Sequence, residues 1–340
     1  MKYTFASDNC AGVDKRIMKA MEKANEDFVL SYGDDKYTEA AVKAFKDEFG
    51  TDVKVYFVYN GTGANTISLG SILKNYQAVI TPAFSHISVD ETGAPEKYTG
   101  CKLITCPTND GKLRVGDIEP HLDILGVVHH SQPKVVSITN PTEEGTLYTT
   151  DEIREICDFA HKNGLYVHLD GARIGNAAAA LGKGLKEITK DCGVDVLSFG
   201  GTKGGMMFGE AVVFFNKELG EDFGYFRKNG TQLHSKMRFI SAQFEAYLKD
   251  KIYLENAQHA NDMCRYFYGK LKQMDGIEFV YEPQANGMFL KMPKQLADKV
   301  LKKYFFYDMD TKAGKVLRLM CSFATKKEDI DDFIDILEQK

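Results

Sequence analysis

Val194-Asp-Val-Leu-Ser-Phe-Gly-Gly-Thr-Lys-Gly-Gly-Met-Met-Phe-Gly209 is the stretch whose reading decides the fold. A short apolar run bounded by glycines predicts a buried strand, and it opens directly into a glycine-rich turn carrying one lysine, Lys203. Small residues on both sides leave room for a flat group to approach the backbone. Desolvation there would favour the neutral amine and make it a nucleophile toward carbonyls. The plainer reading is a solvated lysine in a flexible glycine loop. The rest of the chain has to decide between them.

Outward from this stretch, strands and helices alternate. Immediately before it, Leu165-Tyr-Val-His-Leu169 predicts a strand ending at Asp170-Gly-Ala-Arg173. The preceding helix is announced by Thr149-Thr-Asp-Glu152, a capping box, and carries Ile153, Ile156, Cys157 and Ala160 on one face before stopping at Gly164. Lys134-Val-Val-Ser-Ile-Thr-Asn140 is a further strand. Earlier still, Val53 to Tyr59 leads into Asn60-Gly-Thr-Gly-Ala-Asn65 and a helical run to about Lys74. That strand, turn and helix place free N–H groups of Gly61, Thr62 and Gly63 at a helix start, which suits a phosphate. It is neither a P-loop nor GxGxxG, and tight turns also use glycine for purely steric reasons. A strand from Ala78 to Thr81 brings His86 just beyond its end, where a structural histidine is equally at home. Helices are predicted over Asp14 to Asn25 and Thr38 to Phe49, the second ended by Gly50.

This alternation predicts an α/β fold with a doubly wound, mostly parallel sheet. Asn140, Asp170 and Lys203 then fall at carboxyl ends of strands, where they can share one crevice. Beyond a helical region from about Phe239 to Met274 the pattern changes. Strands at Ile277 to Tyr281, Gly287 to Met292 and Val316 to Phe323 mix with helices at Leu296 to Phe305 and Lys326 to Leu337, the last capped from Thr325. Two domains are expected: a large one over 1–247 and a small α+β one over 248–340.

Composition narrows the function classes. The 340 residues are 44% hydrophobic and 27% charged with a net charge of −5, which gives no electrostatic case for nucleic acid or an anionic membrane. No apolar run reaches the roughly 20 residues a membrane helix needs, and the first residues lack an apolar signal core. Seven scattered cysteines, with no histidine near Cys101 and Cys106, predict reduced thiols, no metal site and a cytoplasmic protein.

Three features together state a chemistry. Lys203 can hold an aldehyde as a covalent aldimine, Asp170 can pair with a protonated pyridine nitrogen, and the Gly61-Thr62-Gly63 turn can take a phosphate. Pyridoxal 5'-phosphate (PLP) presents all three groups. Asp-x-Ala-x followed about thirty residues later by a Thr-Lys pair is a pattern of fold-type I PLP enzymes.

The fuller set is Phe5-Ala-Ser-Asp-Asn, Tyr32-Gly-Asp, Asn60-Gly-Thr-Gly-Ala-Asn, Ser85-His-Ile, Asn140-Pro-Thr, His168-Leu-Asp-Gly-Ala-Arg-Ile-Gly-Asn176 and Ser198-Phe-Gly-Gly-Thr-Lys-Gly. Over most of the chain it resembles the threonine aldolase family, whose members cleave β-hydroxy-α-amino acids to glycine and an aldehyde. The resemblance implies a homotetramer built as a dimer of dimers. It implies that Lys203 forms the Schiff base, helped by Thr202 in the cofactor site, that Asp170 partners the pyridinium and that His86 stacks on the ring. Ser7, Arg173 and Arg318 would hold the substrate carboxylate, and Tyr32 would order substrate or phosphate from a neighbouring subunit. His129 aligns with a histidine near the β-hydroxyl. Many members carry Gly-Gly-x-Arg-Gln after the lysine; here Arg227-Lys-Asn-Gly-Thr-Gln-Leu-His-Ser-Lys-Met-Arg238 is instead similar to a bacterial low-specificity branch, which implies Lys236 at the cofactor phosphate.

The physical reading agrees with these roles. A bidentate arginine suits a carboxylate, and clamping the carboxylate near the ring plane leaves the Cα–Cβ bond upright. A neutral His86 or His129, directly or through water, would take the β-hydroxyl proton, so activity is expected to fall at acidic pH. A β-eliminating lyase on the same scaffold remains open, as does a PLP-binding protein that has lost catalysis.

Overall fold

A computed structural model describes residues 3–311 and 314–339. Its first strand, β1 (Tyr3–Thr4), belongs to the far end of the chain, where it pairs in parallel with Tyr304–Phe305. The alternating strands of the sequence form one seven-stranded sheet: β2 (Lys54–Val58), β3 (Gln77–Pro82), β4 (Lys102–Cys106), β5 (Gln132–Thr139), β6 (Tyr166–Gly171), β7 (Val196–Gly200) and β8 (Glu210–Phe214), in the order β2-β8-β7-β6-β5-β3-β4. The β7–β6–β5–β3–β4 run is parallel, while β8 inserts antiparallel between β7 and β2. The sheet is therefore mostly parallel, and the Lys203 turn joins an antiparallel pair. Neither β4 nor β8 was anticipated from the sequence.

Every residue of β8 is buried, β6 and β7 each bury all but one, and β5 buries five of eight, as strands covered on both faces do. Helices Lys36–Phe49 and Arg238–Lys249 supply Phe45, Phe49 and Phe244, whose rings close on Phe57 and Phe199 at centroid distances of 5.2–6.3 Å. The expected capping box is formed: Thr149 N donates to Glu152 at 2.8 Å and Glu152 N donates to Thr149 Oγ1 at 3.2 Å, opening the helix Thr150–Lys162.

The second core gathers around an antiparallel sheet of β9 (Glu278–Phe279), β10 (Gly287–Lys291), β12 (Tyr307–Thr311) and β13 (Gly314–Met320), with β11 (Tyr304–Phe305) beside β1. Phe5 packs there against Phe267, Tyr304 and Phe333, so the amino-terminal strand sits with the small sheet although it precedes the large one. The long helix Ile252–Leu271 bridges both cores, with Ile252 and Tyr253 in the first and Phe267 and Leu271 in the second. A single cut near residue 248 thus misses this exchange. Two local expectations also change. The Leu296 to Phe305 helix shortens to Lys294–Leu301 because its last residues extend into β11, and the final helix Lys327–Glu338 is capped at Lys326 by Asp329, while Thr325 Oγ1 accepts from Ser322 N at 2.8 Å. Among the described residues no helix is long and apolar enough to cross a membrane, and no cluster of metal-binding side chains occurs.

Candidate active site

The carboxyl ends of β2, β3, β5, β6 and β7 converge on a cleft of about 270 Å³, close to the lower end of ligand-pocket sizes at roughly 300 Å³. Asn60, His86, Thr139, Asp170 and Lys203 all line it. A second, smaller lobe adjoins it, sharing Glu143 and Arg173 and adding Asn286, just before β10, and Arg318 of β13.

Lys203 sits in a single tight turn, Thr202–Gly204, closed by Gly205 at φ +118°. Burial, reinforced by the nearby Arg173 guanidinium, pushes its amine below the ordinary lysine range. The glycines around it serve the protein's own packing. A Cβ at Gly200 would meet Ala172 O at 2.2 Å, and one at Gly204 would meet Tyr247 Oη at 1.7 Å. The close approach read from the sequence is real, but it is made by backbone and tyrosine.

Beneath the cleft lies a connected set of buried polar groups. Asp170, 5% exposed, accepts from Asn65 Nδ2 at 2.8 Å and from Ala172 N at 2.9 Å. Asn65 Nδ2 also donates to Glu91 at 2.9 Å, and Glu91 meets His86 Nδ1 at 2.8 Å. That bond to Glu91 raises the His86 pKa, while burial raises that of Glu91. Under Asp170, His168 bridges Ser137 Oγ at 2.9 Å and Ser198 Oγ at 3.0 Å. Burial drops its pKa to about 4, so it is a neutral strut at physiological pH. Glu210 holds Gly201 N at 2.6 Å and is pushed by burial to about 7.

The lobe beside Lys203 is cationic. Arg173 is clamped by Asp8, Nε to Oδ2 at 2.6 Å and Nη2 to Oδ1 at 2.9 Å, and Asn286 donates to Asp8 Oδ2 at 3.2 Å. Burial alone would raise the Asp8 carboxyl, but the guanidinium outweighs it and holds the group below its usual range. Arg318, on β13 opposite Phe289 and Tyr307, is lowered by burial and by Arg173 to about 10. A buried Arg318 whose charge is disfavoured by burial and by the neighbouring Arg173 would be stabilised by an anion in this lobe. Ser7 is next to this lobe as the residue that caps Asp8–Cys10, its Oγ accepting from Asn9 N at 3.2 Å.

The structure thus brings together Gly61, Thr62, His86, Asp170, Arg173, Thr202, Lys203 and Arg318. Four expected residues lie elsewhere. Gly63 N is taken by Asn60 Oδ1 at 2.7 Å, and a Cβ on Gly63 would meet the Gln232 amide carbon at 2.3 Å, so this glycine accommodates a side chain. His129 is exposed, on the turn that precedes β5, and does not line the cleft. Tyr32 is 46% exposed, and Lys236 is exposed too; Tyr32 N donates to Ser235 O at 2.9 Å, so both share one outer face. Conversely, Asp8, Asn65, Glu91, Glu143 and Glu210 were not singled out from the sequence. Four of them lie inside or beside stretches already quoted, but nothing local marks a carboxylate as inward-facing.

PLP fits this donor set. A desolvated amine, a buried carboxylate and the Gly61 and Thr62 amides, left over once Asn60 has engaged those of Gly63 and Ala64, match its aldehyde, ring nitrogen and phosphate. Asn65 Oδ1 is buried with no hydrogen-bond partner among the described residues, an acceptor still to be used beside Asp170.

Comparison with known proteins accords with this geometry. The pattern of the β-eliminating lyase family matches residues 4–295. The low specificity L-threonine aldolase of Pseudomonas sp. (strain NCIMB 10558) is 41% identical over 95% of this chain and 93% of its own length. That of Pseudomonas aeruginosa is 39% identical over 96% and 94%. A solved structure of Leishmania major threonine aldolase superposes with a TM-score of 0.94 at 32% identity, covering 99% of this chain and 98% of that one. The chain belongs to the threonine aldolase branch of the β-eliminating lyase family, on the fold-type I scaffold of PLP enzymes.

Proposed function

From that membership and this cleft, we propose a PLP-dependent aldolase that cleaves L-threonine, L-allo-threonine and related β-hydroxy-α-amino acids to glycine and an aldehyde. The observation carrying the proposal is the placement of Lys203 with Asp170, and of Arg173 with Arg318, in two adjoining lobes that share Glu143 and Arg173. Lys203, Asp170, His86, Thr202 and the Gly61 and Thr62 amides would hold the cofactor. When bound, PLP supplies an electron sink for the pair released at the amino acid's α-carbon.

The chain's own residues do the rest. Burial favours the neutral Lys203 amine that carbonyl chemistry needs. Arg318 and the part of Arg173 not engaged by Asp8 hold the substrate carboxylate, which fixes the orientation of Cα. The ring of His86, pinned by Glu91, is a flat wall over the same cavity. Its raised pKa places loss of its charge above the ordinary histidine range, so a neutral His86 is scarcer at neutral pH than the sequence suggested.

A homotetramer in the cytoplasm is part of the same proposal. Supporting it, Phe28 is fully exposed and Leu30 is 71% exposed, close in sequence to Tyr32 on the face it shares with Lys236. Residues on that face would serve the cleft of another copy.

The test is product analysis of purified protein given PLP with L-threonine and then with L-allo-threonine. Glycine and acetaldehyde are expected. Ammonia with a 2-oxo acid would establish β-elimination instead, a reading the family's name keeps alive. An unreacted substrate with cofactor bound would mean a different β-hydroxy amino acid or a silent binder.

A further inference from the structure

Of the two histidines expected to take the proton of a substrate hydroxyl, His129 lies outside the cleft, and His86 lines it with Nδ1 held by Glu91, which leaves only Nε2. Glu143, in the loop after β5, is placed for that work. It lines both lobes, the one with Lys203 and the one with Arg318. A substrate whose carboxylate rests in the cationic lobe and whose amine faces Lys203 must lay its α- and β-carbons across the junction between them.

The carboxyl is also oriented. His86 N donates to Glu143 Oε1 at 2.8 Å and Thr139 Oγ1 donates to the same oxygen at 2.9 Å. Both of these bonds fall on Oε1, and the residue's own N–H also supports the carboxyl, so Oε2 keeps lone-pair capacity for a ligand. Resting on the aldolase reading above, we propose that Glu143 is the catalytic base for the β-hydroxyl, accepting its proton at Oε2 as the Cα–Cβ bond breaks. The O–H pair becomes the second C–O bond of the aldehyde, and the Cα–Cβ pair stays on the α-carbon side. Cα then gains one proton to give glycine, and Glu143 returns the proton it took, so atoms and charge balance.

The surroundings tune the group to this task. Burial first, then the like charge of Asp170, push Glu143 to about 7, where a base is both ionised and strong enough to act. The other charged or titratable groups that face it are Arg173 and Tyr148, each of which senses its charge, with His86 behind its bonded oxygen and Lys203 and Arg318 on the lobes it joins. As a base it works ionised, so activity should fall as pH drops through about 7.

The experiment compares the PLP-loaded wild type with Glu143→Gln. L-Threonine cleavage should lose about 10²-fold or more in kcat with KM changed by less than about 3-fold, the size of a missing general base. Exchange of the glycine α-hydrogen with D₂O, which needs no β-hydroxyl, should persist within about 3-fold. The absorbance of bound cofactor, and its change on adding glycine, should match the wild type. Cleavage by Glu143→Gln at the wild-type rate overturns the proposal, as does equal loss of cleavage and exchange, which would make Glu143 a positioning residue for the whole site. If Glu143→Gln does not fold, Glu143→Asp is read on the same two reactions, with cleavage again the one selectively lost. A wild type that exchanges glycine but releases none from L-threonine sinks the aldolase reading itself, and this proposal with it.

Discussion

Two interiors of this molecule are built to opposite rules. The small core, where Phe5, Phe267, Tyr304 and Phe333 meet at centroid distances of 5.0–5.6 Å, is aromatic, and its buried cluster holds no carboxylate or histidine. The floor of the cleft, at the same depth, holds Asn65, Glu91, His168, Asp170 and Glu210, three of them acids. Burying rings stabilises through apolar area and edge contacts. Burying carboxylates costs stability unless each finds donors, and here Asn65 Oδ1 and Glu91 Oε2 find none among the described residues. The first region exists to hold the fold. The second stores the electrostatic arrangement that the chemistry uses.

That contrast can be broken by substitution. Its largest expected effect is on activity alone: Lys203→Ala should lose all measurable turnover and the lysine-linked cofactor absorbance, while its melting temperature stays near the wild type's without cofactor. Persisting turnover would remove the mechanism. In the aromatic core the effect should reverse. Phe333→Ala, 0% exposed, should destabilise by about 3–5 kcal/mol with kcat per folded molecule little changed, as chemical denaturation and activity assays would show. A loss under about 1 kcal/mol would mean that this core is not the support described.

The acidic floor should also reveal its cost through pH. Glu143 titrates near 7 in the fold against an ordinary 4.5, so the folded state binds more protons than the unfolded one across that window. Stability is therefore lost as pH rises from about 4.5 toward 7. Glu143→Gln should make the cofactor-free protein more stable at pH 8 by roughly 1–3 kcal/mol and leave pH 4 nearly unchanged. A gain that is equal at both pH values would locate the effect in packing. The smallest change belongs to neither interior. Thr149→Ala, removing the helix cap, should cost about 1 kcal/mol by urea titration and leave kinetics alone.

The difference between the interiors also explains what could be read in advance. Apolar periodicity and caps are local, so the strands ending at Asp170 and near Lys203 were legible, as was the Thr149 box. The antiparallel insertion of β8 was not, because a buried Glu-Ala-Val-Val-Phe run has no period that states its direction. Glycines were visible but their use was not: Gly63 and Gly204 make way for Gln232 and Tyr247. His129 was chosen by alignment of a motif, and its exposure follows from a turn whose path no short-range rule predicts.

What the sequence determined by itself is the alternation that builds the large sheet and the residue types, Lys203, Asp170, Arg173 and Arg318, that name the chemistry. Tertiary structure alone decided which acids turn inward. Asp8 reaches Arg173 across 165 positions because β1, just before it, is stitched to β11, and Asn65 reaches Asp170 across 105. A carboxylate's role depends on the donors and charges within a few ångströms of it, and those come from segments distant in sequence that only folding brings together.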